Sequence, residues 1–187
     1  MAYDADETRR RILAASTAEF AEHGLAGARV DRIAAAAGCS KERLYAHFGD
    51  KEALFTAVLN HSFAELGVAA APHFATAPDF AVAIYDHLVE HPENHRLLGW
   101  ARLEQRHDWA SSFAVLDEVR RTSVGHLDRL IGDDVAWSVD DVFALVLSIA
   151  TAWLQLPGLP HAAAGGPDRA VQREIVREAV ARLLGSA

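Results

Sequence analysis

Apolar residues recur three and four positions apart along most of the chain, and no stretch alternates apolar with polar residues two by two. That period predicts helices and no sheet. Helix 1 is expected from Asp6, an acceptable cap, to His23, with Ile12, Leu13, Ser16 and Phe20 inward and Gly24 as its stop. Val30, Ile33, Ala34 and Ala37 follow the i, i+3, i+4, i+7 rule and predict helix 2 over 30–37. Gly38 ends it, and Ser40 caps helix 3 over 41–47, whose inward residues Leu44 and Phe48 stand four apart. Asp50 caps helix 4, which starts at Lys51 and continues through Phe55, Val58, Leu59 and Phe63 toward Ala70.

All six prolines lie beyond residue 70, so none interrupts these four helices. Pro72 and Pro78 bracket a break. A helix over about 79–90 carries Phe80, Ile84, His87 and Leu88, and Pro92 opens the next, which reaches His107. Another spans about 111–131 with Phe113, Leu116, Val124, Leu127 and Leu130 as anchors. The segment from about Asp140 to Pro157 is apolar nearly all round and is expected to be buried on several sides. After a loop over 157–167, Asp168 opens a last helix with Val171, Ile175, Val176, Ala179 and Leu183 on one side. The expectation is an all-α fold of about nine helices, a three-helix helix-turn-helix head followed by a helical body.

The stretch from Val30 to Lys51 carries the most chemistry. Its second short helix puts Leu44 and Phe48 inward and leaves Lys41, Glu42, Arg43, Tyr45 and His47 on the other side, a polar face able to reach base edges and phosphates. Lys41 follows the Ser40 cap and Lys51 follows the Asp50 cap. Each sits at the positive end of a helix dipole, an arrangement that costs roughly 0.3–1 kcal/mol at an exposed site. A phosphate would reverse the sign, because helix N-termini and lysines both attract anions.

Composition narrows the partners. The net charge is −8, which is unusual for a nucleic-acid binder. The acid is unevenly placed, since residues 1–55 hold eight Lys/Arg and nine Asp/Glu while residues 56–187 hold ten and seventeen. The head is nearly neutral, and Arg9, Arg10, Arg11, Arg29, Lys41, Arg43 and Lys51 can form a local positive surface on it. Acid elsewhere repels non-specific DNA and makes recognition depend on docking geometry. The single cysteine, Cys39, excludes an internal disulfide and a multi-cysteine zinc site, and packing in the turn is its expected role. No signal peptide and no span of about 18 apolar residues is present, so a cytoplasmic protein is expected.

The segment from Thr8 to Phe55 resembles the DNA-binding domain of the TetR family of transcriptional repressors. The resemblance rests on T-R-R-R-I-L-A-A-S, F-A-E-H-G, V-D-R-I-A-A-A-A-G and S-K-E-R-L-Y-A-H-F-G-D-K-E-A-L-F. It implies a DNA-binding domain over 6–51 and a ligand-binding and dimerisation domain over 52–187, with helix 4 linking the two. It further implies a homodimer formed through the last two helices, a palindromic double-stranded operator with half-sites about 34–36 Å apart, and a small-molecule effector that releases the repressor. The residues expected at DNA are Arg29, Ser40, Lys41, Glu42, Arg43, Tyr45, His47 and Lys51. Two places depart from the usual pattern. Ala28 and Arg29 stand where similar proteins carry hydroxyl residues that cap helix 2, and Glu42 stands where a small residue is common. Glu42 is able to accept from cytosine N4 and Arg43 to bind guanine O6 and N7.

In the body, the aromatic residues at helical spacing suit a core more readily than a pocket. Trp100, Glu104, His107, Trp109, Phe143 and Trp153 are the candidates for lining an effector cavity. His87, His91 and His95 stand four apart, but Pro92 breaks the helical register between them, so no metal site is expected. Glu104 and His107 form one E-x-x-H, whereas a helical di-metal enzyme needs two. No hydrolase, zinc-protease or nucleotide-binding motif occurs. No catalytic residue and no cofactor are expected. An activator, or a DNA binder without an effector, is the alternative reading of the same head, and a helical metal-dependent enzyme is the competitor from another class.

Overall fold

The computed structural model describes residues 2–70, 74–104, 114–132, 136–155 and 168–185. These form nine α-helices and no strand among the described residues: α1 Ala2–Gly27, α2 Val30–Ala36, α3 Lys41–Phe48, α4 Lys51–Ala69, α5 Ala77–Glu90, α6 Pro92–Leu103, α7 Ala114–Ile131, α8 Val139–Gln155 and α9 Arg169–Leu183. The chain divides into two compact units, Met1–Phe63 with Pro92–Val115, and Ala64–His91 with Leu116–Ala187.

The first unit holds the head. α1 begins at Ala2, so Asp6 lies inside the helix and is not its cap. Ile12, Ser16 and Phe20 are fully buried at the expected spacing, and the Ser16 hydroxyl satisfies itself by donating to Ile12 O at 2.7 Å. Phe20 meets Phe55 of α4 edge to face, with centroids 4.9 Å apart. Gly24 interrupts α1 at φ 64°, ψ −177°, and one further turn follows before the helix ends at Gly27. That backbone region is essentially closed to residues with a side chain. Space is short as well, because a Cβ at position 24 would stand 2.7 Å from the Trp100 ring.

Trp100 belongs to α6, and α6 is part of this unit rather than of the body. Its indole Nε1 donates to Ala21 O at 3.2 Å, and the Glu104 carboxylate accepts from Leu25 N at 2.8 Å. On the same helix Asn94 Oδ1 accepts from the buried Ser62 hydroxyl of α4 at 2.8 Å. The first compact unit therefore holds α6 together with the head helices and the first part of α4. α6 is described as Pro92–Leu103, and most of its expected continuation toward His107 lies outside the described residues.

In the second unit α5 packs on both α8 and α9. Phe80, Ile84, Tyr85 and Leu88 of α5, Leu127 of α7, Val142 and Val146 of α8, and Val176 and Val180 of α9 form one apolar cluster. Each such large side chain, once buried, contributes roughly 1.5–3 kcal/mol. Thr76 caps α5 by accepting from Asp79 N, and Pro78 sits in the first turn, where its missing N–H costs nothing. Two sequence expectations change here. The buried stripe of α9 is Gln172, Val176 and Val180, whereas Val171 and Ile175 point outward. α8 buries Val142, Val146 and Ala150 but exposes Leu145, so within one chain it is covered on one side only. The expected anchor Phe113 and the loop over 157–167 lie outside the described residues.

Candidate nucleic-acid interface

The turn between α2 and α3 is built by local bonds. Gly38 takes φ 62°, and Cys39 N donates to Ala34 O at 3.0 Å while Gly38 N donates to Ala35 O at 3.2 Å. This paired closure satisfies the last carbonyls of α2 and needs a residue tolerant of positive φ. Ser40 then caps α3, its hydroxyl oxygen accepting from Arg43 N at 3.2 Å. Leu44 and Phe48 are the buried residues of α3. At the far end Asp50 caps α4 by accepting from Ala53 N at 2.7 Å. The three caps and stops expected here, at Gly38, Ser40 and Asp50, are all present.

The N-terminus of α2 is held differently. Arg29 occupies the cap position and makes no side-chain cap. Glu19, ten residues earlier on α1, replaces it, accepting from Arg29 N at 2.7 Å and from Arg32 Nη2 and Nε at 2.6 and 2.9 Å. Burial raises the pKa of this carboxyl, but the Arg32 hydrogen bond and the Arg29 amide outweigh burial and hold it below the usual range. No local spacing rule links Glu19 to Arg29, which is why the sequence shows a missing cap and not its substitute.

Ser40, Lys41, Glu42, Arg43 and Tyr45 lie together on the exposed side of α3, with Arg29 exposed just before α2. His47 is half-buried, its ring beside Phe48 at 6.3 Å between centroids. Lys51 is half-buried too, with Nζ 3.4 Å from Ala26 O. Arg9 of α1, not among the expected contact residues, rests its guanidinium over the Phe48 ring at 4.5 Å.

The charges on α3 are partly engaged. Lys41 Nζ pairs with Asp31 Oδ1 at 2.7 Å, and that hydrogen bond raises the lysine pKa. Both partners are well exposed, so the pair adds little to stability and remains exchangeable. The Glu42 carboxylate accepts from its own backbone N–H and from the Ser40 hydroxyl, which lowers its pKa. It thereby offsets the unfavourable lysine at this helix N-terminus.

The residues expected at an effector cavity fall into two groups. Trp100 and Glu104 secure α1 in the first unit, where Trp100 also borders an open cleft of about 380 Å³. Phe143 and Trp153 pack in the second unit, with ring centroids 6.4 Å from Phe80 and 6.2 Å from Tyr85. His107 and Trp109 lie outside the described residues.

Residues 12–58, which include all of α2 and α3, match the family described as bacterial regulatory proteins, tetR family. Residues 77–182 match the tetracyclin repressor-like C-terminal domain. The chain belongs to the TetR family of transcriptional regulators. It is 30% identical over 190 residues to the HTH-type transcriptional repressor SCO4008 of Streptomyces coelicolor, covering 98% of each chain. It is 33% identical over 111 residues to the repressor NicS of Pseudomonas putida, covering 56% of this chain and 52% of NicS. Its fold superposes on the solved structure of the transcriptional regulator SCO4942 of Streptomyces coelicolor with a TM-score of 0.77 at 38% identity, covering 94% of this chain and 97% of that one. A regulator from Aquifex aeolicus shares the fold at a TM-score of 0.72 and 17% identity, covering 94% and 99%. This TetR-family chain is a DNA-binding transcriptional regulator, and α2–α3 is the helix-turn-helix of its matched N-terminal domain. No described helix is long and apolar enough to cross a membrane.

Proposed function

We propose that this chain is an effector-released repressor that binds a palindromic operator as a homodimer and reads it with α3. The observation that carries the reading is α3 itself: an eight-residue helix fixed by Ser40, Leu44 and Phe48, with Lys41, Glu42, Arg43 and Tyr45 on its exposed side. Arg43 is assigned to a guanine and Glu42 to a cytosine, the pairings their donors and acceptors suit. Ser40, Tyr45, His47, Arg29, Lys41 and Lys51 are assigned to the sugar-phosphate backbone and the flanking groove. SCO4008, NicS and two AcnR proteins, each at 29–33% identity, are named repressors, which supports the direction of control.

Dimerisation through α8 and α9 is supported by what those helices expose. Leu145 is 40% exposed, Val171 51% and Ile175 46%, an apolar surface that a second copy would cover. A ligand that favours the arrangement unable to span both half-sites would release the operator, to an extent set by its differential affinity. α4 supplies a physical link, since it runs unbroken from the first unit into the second.

Selection of bound sequences from random DNA by the full chain tests the reading. The expected product is an inverted repeat, bound with an affinity that falls linearly as log salt rises. Selection with the Arg43→Ala variant is expected to relax one position in each half-site by about 1–3 kcal/mol. Enrichment of no inverted repeat, or an affinity insensitive to salt, would refute it.

A further inference from the structure

The three consecutive arginines of α1, Arg9, Arg10 and Arg11, are placed differently. Thr8, Ile12 and Ser16 form the fully buried stripe of this part of the helix. At about 100° per residue, Arg9 and Arg11 flank that stripe on its two sides, and Arg10 points away from it. All three are exposed. Arg10 bonds to Glu7 within its own helix, Nε donating to Oε2 at 3.1 Å. Neither Arg9 nor Arg11 meets a carboxylate among the described residues.

Their side chains reach opposite ends of the helix that carries the polar reading face. The Arg9 guanidinium lies over the ring of Phe48, the last residue of α3, at 4.5 Å. Arg11 Nη1 stands beside Gly38, just before the Ser40 cap, 3.5 Å from where a Cβ on that glycine would be. α3 is eight residues long, about 12 Å at 1.5 Å per residue, and the major groove of B-DNA is also about 12 Å wide. A helix of that length seated in the groove brings each of its ends toward a different phosphate row. Stacking suits Arg9 to such a contact. The ring holds one face of the guanidinium, and the N–H groups around its edge stay available to phosphate oxygens.

We propose that Arg9 and Arg11 position the duplex: Arg11 holds a phosphate where α3 begins and Arg9 holds one where it ends, on opposite strands. Arg10 takes no part. The inference rests on the reading that α3 enters a major groove, and adds to it two contacts carried by a different helix. Lys41, on α3 itself, is engaged by Asp31, whereas these two guanidiniums give up no ion pair on docking. Phosphate contacts carry no sequence information, so affinity and register depend on the two arginines and base preference does not.

The test measures the affinity of the full chain for its selected duplex across a range of salt concentrations. Arg9→Ala and Arg11→Ala are each expected to make the slope of log affinity against log salt shallower by about one unit per half-site. Arg10→Ala is expected to leave the slope unchanged, and Arg9→Lys to keep it, because the charge remains. A purely structural role on Phe48 would instead leave the slope intact in Arg9→Ala and lower the urea midpoint. Neutral methylphosphonates placed singly along each strand then locate the contacts. Within a half-site, Arg9→Ala is expected to become indifferent to one substituted phosphate and Arg11→Ala to another on the opposite strand. Unmoved slopes in Arg9→Ala and Arg11→Ala, an equal change in Arg10→Ala, or both contacts on one strand would each overturn the proposal. A wild type whose affinity ignores salt would instead fail the broader reading of α3, so the two failures are separable.

Discussion

α3 and α9 both carry basic side chains on their outer sides, and the two helices are held in different ways. α3 is fixed by neighbours in sequence, through the Ser40 cap, the closure at Gly38, and Leu44 with Phe48 turned inward. α9 is fixed by residues some eighty to a hundred positions earlier. Arg169 reaches Asp86 and Glu90 at 3.0 and 2.8 Å, Arg173 reaches Asp86 at 3.0 Å, and Arg177 pairs with Asp79. Beneath this ladder the Tyr85 hydroxyl donates to Gln172 Oε1 at 2.7 Å, both residues buried. The basic residues of α9 are thus spent on intramolecular carboxylates, while those of α3 stay on a surface that a partner can reach. Charge count alone does not separate a locking helix from a reading helix. What separates them is how exposed the partner acid is: Asp86 and Asp79 are 22% and 37% exposed, whereas Asp31 beside Lys41 is 78% exposed.

The contrast breaks hardest at Gly24, where the otherwise locally specified head depends on a distant residue. Gly24→Ala would force a side chain into φ 64°, ψ −177° and drive its Cβ toward the Trp100 ring. The expected loss is about 3 kcal/mol, combining backbone strain with overpacking. Urea unfolding of the variant checks it, and a loss below about 1 kcal/mol would mean that α6 yields easily and does not set the end of α1.

These bonds also explain what could be read in advance. Ser40, Asp50, Gly38 and Asp168 act within a few residues of themselves, so their roles follow from spacing. The inward faces of α1 to α5 follow from the 3.6-residue period in the same way. Glu19 acts across ten residues and Glu104 across seventy-nine, and no periodic rule reaches that far. Trp100 illustrates the result: its indole and the Glu104 carboxylate secure α1 across seventy-nine residues, a link that no spacing in the sequence announces. α9 misled for another reason. Val171, Ile175 and Val176 are all apolar, and only packing against α5 decides which of them turns inward. On the candidate interface, the exposed side of α3 was legible, but Asp31 as the partner of Lys41 was not.

Two substitutions of intermediate size probe one helix pair in each unit. Tyr85→Phe removes the donor to Gln172 Oε1 and is expected to cost about 1–3 kcal/mol, read as a lower urea midpoint with an unchanged m-value. Glu19→Gln tests the replacement cap of α2 and is expected to cost about 2 kcal/mol near neutral pH, since it weakens hydrogen bonds to a charged group. Its pH dependence has a definite sign. The folded-state pKa of Glu19 is depressed below 4.5, so its contribution is complete above the unfolded value and is lost as pH falls through the folded one. The gap in stability between wild type and Glu19→Gln should therefore be constant from pH 7 to about 5 and close below about 4. A gap that persists unchanged at pH 3 would show that the carboxylate charge is not what holds Arg29 and Arg32.

The smallest effect on stability is the one that bears most directly on the comparison. Lys41 has an acid beside it, as the arginines of α9 do, yet it lies on the exposed side of α3. Its pair with Asp31 is open to solvent, so Lys41→Ala is expected to leave the urea midpoint almost unchanged. If the lysine exchanges its aspartate for a phosphate on docking, the same substitution lowers the number of counterions released. The slope of log affinity against log salt should then become shallower by about one unit per half-site contact. Asp31→Asn should act in the opposite direction, leaving Lys41 unpaired in the free protein and tightening operator binding at low salt, with the base preference from selection unchanged. Measured together, the two slopes decide which kind of residue Lys41 is. A slope unmoved by Lys41→Ala would place it with Arg169 and Arg177, committed to its own chain.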